Sequence, residues 1–142
     1  MRPEIWGRHV WNCIHIITLE YPLEPTPEEK KYYKKFFHGL SHVLPCEKCR
    51  NNMSVHLKKI PLTDEVLSSR SSLVKWGIDL HNIVNYYTGK EMLTYNEALN
   101  QINKLLESEN TQYGLKQYNW LFIILLVIFL LCIYIWCIYR KN

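Results

Sequence analysis

The sequence lacks several patterns that would place it in common protein classes. Its five glycines form no Gly-x-Gly-x-x-Gly, which excludes a Rossmann dinucleotide site. No strand-like alternation extends beyond a few residues, and the basic residues form no stripe despite a net charge of +4, so we expect no nucleic-acid partner. The first residues also lack the apolar run of a signal peptide, so we expect the soluble part to lie on the cytosolic side of a membrane.

The longest apolar run lies near the C-terminus. No charged residue occurs from Trp120 to Tyr139, and about 20 apolar residues are enough to span a bilayer as a helix. Aromatic residues lie near both ends of the run, and Arg140 and Lys141 follow it. We therefore divide the chain into a folded domain at 1–110, a linker at 111–117, a transmembrane helix at 118–139 and a short tail at 140–142.

The rest of the chain is organised by helical spacing and helix-capping residues. Proline at the first helical position and Ser/Thr-x-x-Glu capping boxes, at Thr26 and Thr94, mark helix starts. Five helices are predicted, at about 3–20, 27–43, 47–59, 72–88 and from 95 onward. The predicted fold class is all-α: a four-helix bundle plus a short fifth helix, followed by a single C-terminal transmembrane helix.

Two of the five cysteines, Cys46 and Cys49, form a Cys-x-x-Cys pair that opens the third helix. The positive end of a helix dipole favours thiolate, and we expect this effect on the second thiol, about one turn into the helix. The same spacing suits zinc ligation as well as thiol–disulfide chemistry, so by itself it leaves both readings open.

Polar and aromatic side chains recur on the first and fourth helices. Arg8, Trp11 and His15 share one face of the first helix, and His81 and Asn85 lie one turn apart on the fourth, beside Asn82. Buried polar side chains need hydrogen-bonding partners, and a flat heteroaromatic cofactor would provide them. Arg8 and Lys90 would suit a pyrophosphate.

Three segments together carry a family resemblance. The residues Trp-Gly-Arg-His-x-Trp-x-x-x-His, Pro-Cys-Glu-Lys-Cys and Leu-His-Asn-x-Val-Asn occur in that order within about 5–95. They resemble the Erv/Alr family of FAD-dependent sulfhydryl oxidases, and the C-terminal anchor resembles members from large cytoplasmic DNA viruses. The resemblance implies Cys46 and Cys49 as catalytic residues, with Cys49 against the flavin and Cys46 facing incoming thiols. It implies these FAD-binding residues: Arg8, Trp11, His15, His81, Asn82, Val84, Asn85 and Lys90.

The resemblance also implies the reaction and its partners. Electrons would pass from dithiols through the cysteine pair and FAD to O2, giving H2O2, and the chain would form a homodimer through its first two helices. A structural disulfide common in the family would join the positions of Ile78 and Tyr95, so both of its cysteines are missing here. Cys13, Cys132 and Cys137 do not resemble a shuttle pair in a flexible tail, so a separate dithiol substrate or thiol relay protein is implied. In a virus the setting would be the host cytoplasm or the virion membrane.

Two other functions remain as alternatives. In a membrane-anchored zinc adaptor, Cys46, Cys49 and two of His38, His42 and His56 would form a Cys2His2 set. A tail-anchored helical scaffold would have no chemistry at all. Neither alternative explains the polar set on the fourth helix.

Overall fold

The computed structural model describes the backbone of residues 1–141, with the side chains of 1–107 and 119–140. No strand occurs within this described part, so the all-α prediction is confirmed. The helices, with a 3-10 turn at Val66–Ser68 between the third and fourth, are α1 (Pro3–Leu19), α2 (Pro27–Val43), α3 (Glu47–Lys59), α4 (Arg70–Tyr87) and α5 (Tyr95–Lys141).

The helix starts follow their local chemistry. The Thr26 and Thr94 hydroxyls accept hydrogen bonds from the backbone N–H groups of Glu29 and Glu97, whose carboxylates bond back to the threonine N–H groups. The fourth helix begins two residues before the predicted Ser72. Ser69 and Ser72 form the reciprocal bonds of a capping box. The sequence did not predict this box, because Ser72 stands at the third helical position where the predicted boxes have glutamate.

The core lies between α1 and α4 on one side and α2 and α3 on the other. Phe37 of α2 meets the Trp76 ring of α4 edge to face, with centroids 5.0 Å apart. The Trp76 indole N–H donates to the Ile60 carbonyl at 2.8 Å, which ties the end of α3 to α4. The Tyr21 hydroxyl donates to the Leu67 carbonyl at 3.0 Å, so the polar groups of Trp76 and Tyr21 both have partners.

Helices α1 and α4 approach most closely where Gly77 meets Thr18. A β-carbon added at Gly77 would lie 3.2 Å from the Thr18 methyl group, so a side chain here would push the helices apart. One turn further along α4 lies His81, and one turn back along α1 from Thr18 lies His15. The glycine therefore sets the spacing at which these two histidines meet.

A second apolar cluster joins α4 to the start of α5. Val74, Ile78 and Ala98 are buried together, and the side chains of Leu19, Leu93 and Leu99 pack against them. Ile78 is 3% exposed, whereas Tyr95, at the other position implied for a structural disulfide, is 39% exposed. The junction is therefore closed by apolar packing around Ile78.

The chain divides into two compact units, Met1–Asn100 and the remainder from Gln101. In the second unit, Asn119–Arg140 contains an 18-residue window with a mean hydropathy of 3.3 and no buried residue, so the helix is long and apolar enough there to cross a membrane. It begins one residue after the predicted span. The predicted linker at 111–117 lies outside the residues whose side chains the structure describes.

Candidate functional site

A disulfide joins Cys46 to Cys49 at the start of α3, with Cα atoms 5.1 Å apart. Cys46 is the N-cap of the helix, and its Sγ accepts the Cys49 backbone N–H at 3.2 Å. Cys49 packs against the main apolar core, and both residues are half-buried. One sulfur thus lies at the positive end of the helix and the other faces inward, an arrangement suited to thiol–disulfide exchange.

Three flat rings from α1 and α4 gather at a second location. The Trp11 indole and the His81 imidazole stack face to face, with centroids 4.0 Å apart and planes 8° from parallel. His15 Nε2 lies 2.9 Å from His81 Nδ1, so one imidazole donates a hydrogen bond to the other. His15 is 6% exposed, and its Nδ1 has no partner within the described part of the chain.

Burial keeps this ring cluster uncharged at neutral pH. It lowers the pKa of His15 to about 4, because an imidazolium there would lose its hydration. The pKa of His81 is lowered to about 4 chiefly by burial, and further by His15 and by the positive charge of Lys90. Trp11, His15 and His81 therefore present neutral, hydrogen-bonding ring edges close to a cation.

Lys90 reaches this region through a reversal of the chain after α4. Gly89 adopts φ +68, which glycine tolerates without strain, and the Lys90 backbone N–H then donates to the Asn85 carbonyl at 2.9 Å. The Lys90 side chain is exposed. Gly89 thus forms the end of the helix, and Lys90 brings a positive charge back toward His81.

Asn82 uses both ends of its carboxamide for hydrogen bonds within the chain. Its Nδ2 donates to the Leu93 carbonyl at 2.8 Å, and its Oδ1 accepts the Leu93 N–H at 3.0 Å. It also borders a groove of about 430 Å³ that Lys59, Tyr86 and Met92 help to line. Successive helical residues point about 100° apart, so Asn82 faces this groove while His81 faces Trp11.

The remaining predicted residues lie around these features. Val84 and Asn85 are half-buried on α4, and Arg8 is exposed on α1. The structure thus brings Trp11, His15 and His81 into contact, with the charge of Lys90 acting on them, and it bonds Cys46 to Cys49. Among the described residues, the side chains of Arg8, Val84 and Asn85 make no hydrogen bond to the ring cluster.

Comparison with known proteins identifies the family. The model of the Erv1 / Alr family matches residues 8–104, which cover the cysteine pair and the ring cluster. The chain belongs to the Erv1 / Alr family.

Individual family members show how close the similarity is. The chain is 55% identical over 123 residues to a probable FAD-linked sulfhydryl oxidase, R368, of Acanthamoeba polyphaga mimivirus, covering 87% of this chain and 83% of that protein. It is 34% identical to a putative FAD-linked sulfhydryl oxidase, 347L, of invertebrate iridescent virus 6, covering 64% of this chain and 86% of that protein. The crystal structure of the FAD binding domain of Erv1 from Saccharomyces cerevisiae superposes with a TM-score of 0.63 at 29% identity, covering 68% of this chain and 89% of that one.

The site of this family member has features that suit a flavin nucleotide. The unpartnered Nδ1 of His15 lies in a buried, neutral cluster of flat rings, which a heteroaromatic group could stack on and hydrogen-bond to. Lys90 and Arg8 provide positive charge that phosphates require. The donor set therefore fits FAD.

Two further buried polar atoms belong to Trp6 and to His56, which the sequence offered only as a possible metal ligand. Trp6 Nε1 and His56 Nδ1 are buried without a partner among the described residues. The His56 ring stacks on Tyr87, with centroids 5.3 Å apart, and burial together with Lys59 lowers the pKa of His56. No sequence signal distinguished either from an ordinary core residue, because spacing reports a buried face and not hydrogen-bond satisfaction.

The zinc alternative loses its geometric basis. Among the described residues, no group of three or more His, Cys, Asp or Glu side chains could hold a metal ion. His38 and His42 are exposed on α2, while the His56 ring stacks on the Tyr87 ring. The Cys46 and Cys49 sulfurs are bonded to each other.

Proposed function

We propose that this chain is an FAD-linked sulfhydryl oxidase that forms disulfides in protein dithiols. The observation that carries the proposal is the Cys46–Cys49 disulfide, half-buried at the N-terminus of α3 with one sulfur against the core, in a chain of the Erv1 / Alr family. A disulfide in that position is open to attack by a substrate thiolate.

The exchange of thiols follows from the placement of the two sulfurs. A substrate thiolate attacks Cys46 Sγ, which forms a substrate–Cys46 disulfide and releases Cys49 as thiolate. The second substrate thiolate then attacks the substrate sulfur of that mixed disulfide, releasing Cys46 as thiolate. The substrate leaves as a disulfide, having lost two protons and two electrons, and both electrons remain on the reduced cysteine pair.

Trp11, His15 and His81 would hold the flat part of FAD, and Lys90 and Arg8 its phosphates. Bound FAD would accept the two electrons of the cysteine pair and transfer them to O2, giving H2O2. The protein keeps the rings uncharged by burial and positions Cys49 on the core side of the pair.

The proposed partner is a separate dithiol protein, either the final substrate or a relay. Cys13 is exposed on α1, and Cys132 and Cys137 lie within the candidate membrane span. We propose that the span anchors the enzyme with its catalytic domain in the cytosol or at the virion membrane. We propose as well that two copies associate through α1 and α2, where exposed apolar residues such as Ile5 and Phe36 occur.

Absorbance and oxygen uptake test the proposal on the full-length protein in detergent. The purified protein should be yellow, should release one FAD per chain on heating, and should oxidise dithiothreitol with O2 consumption. Cys46→Ser and Cys49→Ser should each abolish turnover while FAD stays bound, and the matched control Cys13→Ser should retain it. A colourless protein, or full activity in either site variant, would refute the proposal.

Substrate size separates the relay from a built-in shuttle. Cys13→Ser should oxidise dithiothreitol and a reduced dithiol protein at the rates of the unaltered chain. Loss of activity toward the protein substrate alone would make Cys13 a shuttle and remove the need for a separate relay.

A further inference from the structure

The segment that follows α4 is tied back to that helix at two points. At the first, the Lys90 N–H donates to the Asn85 carbonyl, just after Gly89 reverses the chain. At the second, three residues later, the side chain of Asn82 bonds to the backbone of Leu93. Residues 89–93 therefore form a return segment held at both ends to one face of α4.

The bond to Leu93 uses the Asn82 carboxamide in a unique orientation. An N–H group only donates and a carbonyl oxygen only accepts, so Oδ1 must face the Leu93 N–H and Nδ2 the Leu93 oxygen. Both contacts, at 3.0 Å and 2.8 Å, are in part-buried surroundings where lost hydrogen bonds are costly. No aspartate or leucine of similar shape could make both bonds.

The side chain of Leu93 reinforces the same connection. It packs on the buried cluster of Val74, Ile78 and Ala98, while its backbone bonds to Asn82. Lys90, whose backbone forms the first tie, carries the charge that acts on His81. Moving Leu93 away from α4 would free one end of the segment that carries this lysine.

We infer that Asn82 is a positioning residue, which clamps the 89–93 return segment to α4 and so keeps Lys90 beside His81. The inference rests on the proposed function only in what Lys90 does there, namely holding an anionic part of the cofactor. Asn82 then affects FAD binding through Lys90, although its own side chain bonds to Leu93 and not to the ring cluster.

Hydrogen exchange and limited trypsin digestion test the clamp without reference to activity. In full-length protein, Asn82→Asp retains the acceptor for the Leu93 N–H but places a carboxylate against the Leu93 carbonyl, whereas Asn82→Leu removes both bonds at similar volume. Each variant should exchange the Leu93 amide and be cut after Lys90 about tenfold faster than the unaltered chain. The matched control Asn96→Ala, at an exposed residue of α5, should leave both rates unchanged.

The FAD dissociation constant tests the link to Lys90. Asn82→Leu and Lys90→Met should each weaken FAD binding by about tenfold, and the double variant should bind no more weakly than the weaker single variant, because both changes remove the same contact. Unchanged exchange and cleavage in both Asn82 variants would overturn the clamp. Additive losses in the double variant would overturn positioning through Lys90 and make Asn82 a direct ligand.

The two proposals fail in different ways. If the unaltered chain binds no FAD, the proposed function is wrong, while faster cleavage after Lys90 and a raised His81 pKa in Asn82→Leu would still support the clamp. If the unaltered chain binds FAD and every variant binds it equally tightly, neither Lys90 nor its positioning by Asn82 contributes to FAD binding, and the oxidase proposal stands.

Discussion

At the residue scale, the two cysteines of the pair have different surroundings. The spacing of the pair predicted that the helix N-terminus stabilises the thiolate of the second cysteine, Cys49. The structure directs the Cys49 N–H at Cys46 Sγ instead, and packs Cys49 against the core. Hydrogen bonding and the helix N-terminus favour the thiolate at Cys46, which also has the easier access to solvent reagents.

We therefore expect iodoacetamide to alkylate Cys46 about tenfold or more faster than Cys49 once the pair is reduced. Peptide mass spectrometry after short labelling times would measure both rates, with Cys13, exposed on α1, as an internal reference. Faster labelling of Cys49 would mean that substrate thiols attack the inner sulfur, contrary to the proposed order of exchange.

The buried histidines give a second residue-scale prediction, on pH. In the folded protein the pKa of both His15 and His81 is about 4, below the ordinary value of 6.5, so the unfolded chain binds protons first as pH falls. Their contribution to the free energy of unfolding is complete above about pH 6.5 and is lost as pH falls toward 4. The pKa values of Glu29 and Glu97 are also lowered, but these carboxylates reduce the free energy of unfolding mainly below about pH 4.5. The change in stability between pH 6.5 and 4.5 therefore comes chiefly from the buried histidines, including His56.

Urea unfolding across that window would measure the effect. His15→Gln should be less stable at pH 7.5 but should lose distinctly less stability between pH 6.5 and 4.5 than the unaltered chain. His42→Gln, at an exposed position on α2, should follow the unaltered chain throughout. Identical pH dependence in all three proteins would show that the imidazole pair is not buried as a neutral unit.

At the element scale, the packing of α1 on α4 sets the geometry of the ring cluster. A Cβ at Gly77 would already lie 3.2 Å from the Thr18 methyl, so Gly77→Val should reduce the free energy of unfolding by about 1–3 kcal/mol and weaken FAD binding by separating His15 from His81.

Gly39 lies inside α2 with nothing within 4 Å of an added Cβ, so Gly39→Ala should stabilise the protein by about 0.5–1 kcal/mol. Urea titration and FAD titration of both variants would check this, and equal effects would contradict the close approach of the two helices.

At the scale of the whole molecule, the soluble unit and the apolar span have separable tasks. All the residues proposed to bind FAD or exchange disulfides lie within Met1–Asn100. A truncation ending near Gly114 should therefore be soluble without detergent, retain FAD and oxidise dithiothreitol at a rate within about twofold of the full chain. Loss of turnover with FAD still bound would assign the span a catalytic role, which a matched full-length protein in detergent would confirm.

Local sequence determined the helices, the cysteine pair and the candidate membrane span. Capping side chains such as Thr26 act within one turn, an apolar run from Trp120 to Tyr139 is defined by composition, and Cys46 and Cys49 are close because only two residues separate them. Such interactions are fixed by spacing along the chain, so they can be inferred without knowing how the helices pack.

Tertiary structure decided which polar side chains meet. The contact of His15 with His81 joins residues 66 positions apart, and it depends on the glycine at 77 that lets α1 approach α4. Asn82 follows His81 directly in the same motif, yet the helical rotation of one residue, about 100°, turns its side chain away from Trp11, and it bonds to Leu93. A shared motif places residues on the same helix. Only the packing of that helix decides which of them join the ring cluster and which bond to the segment that follows the helix.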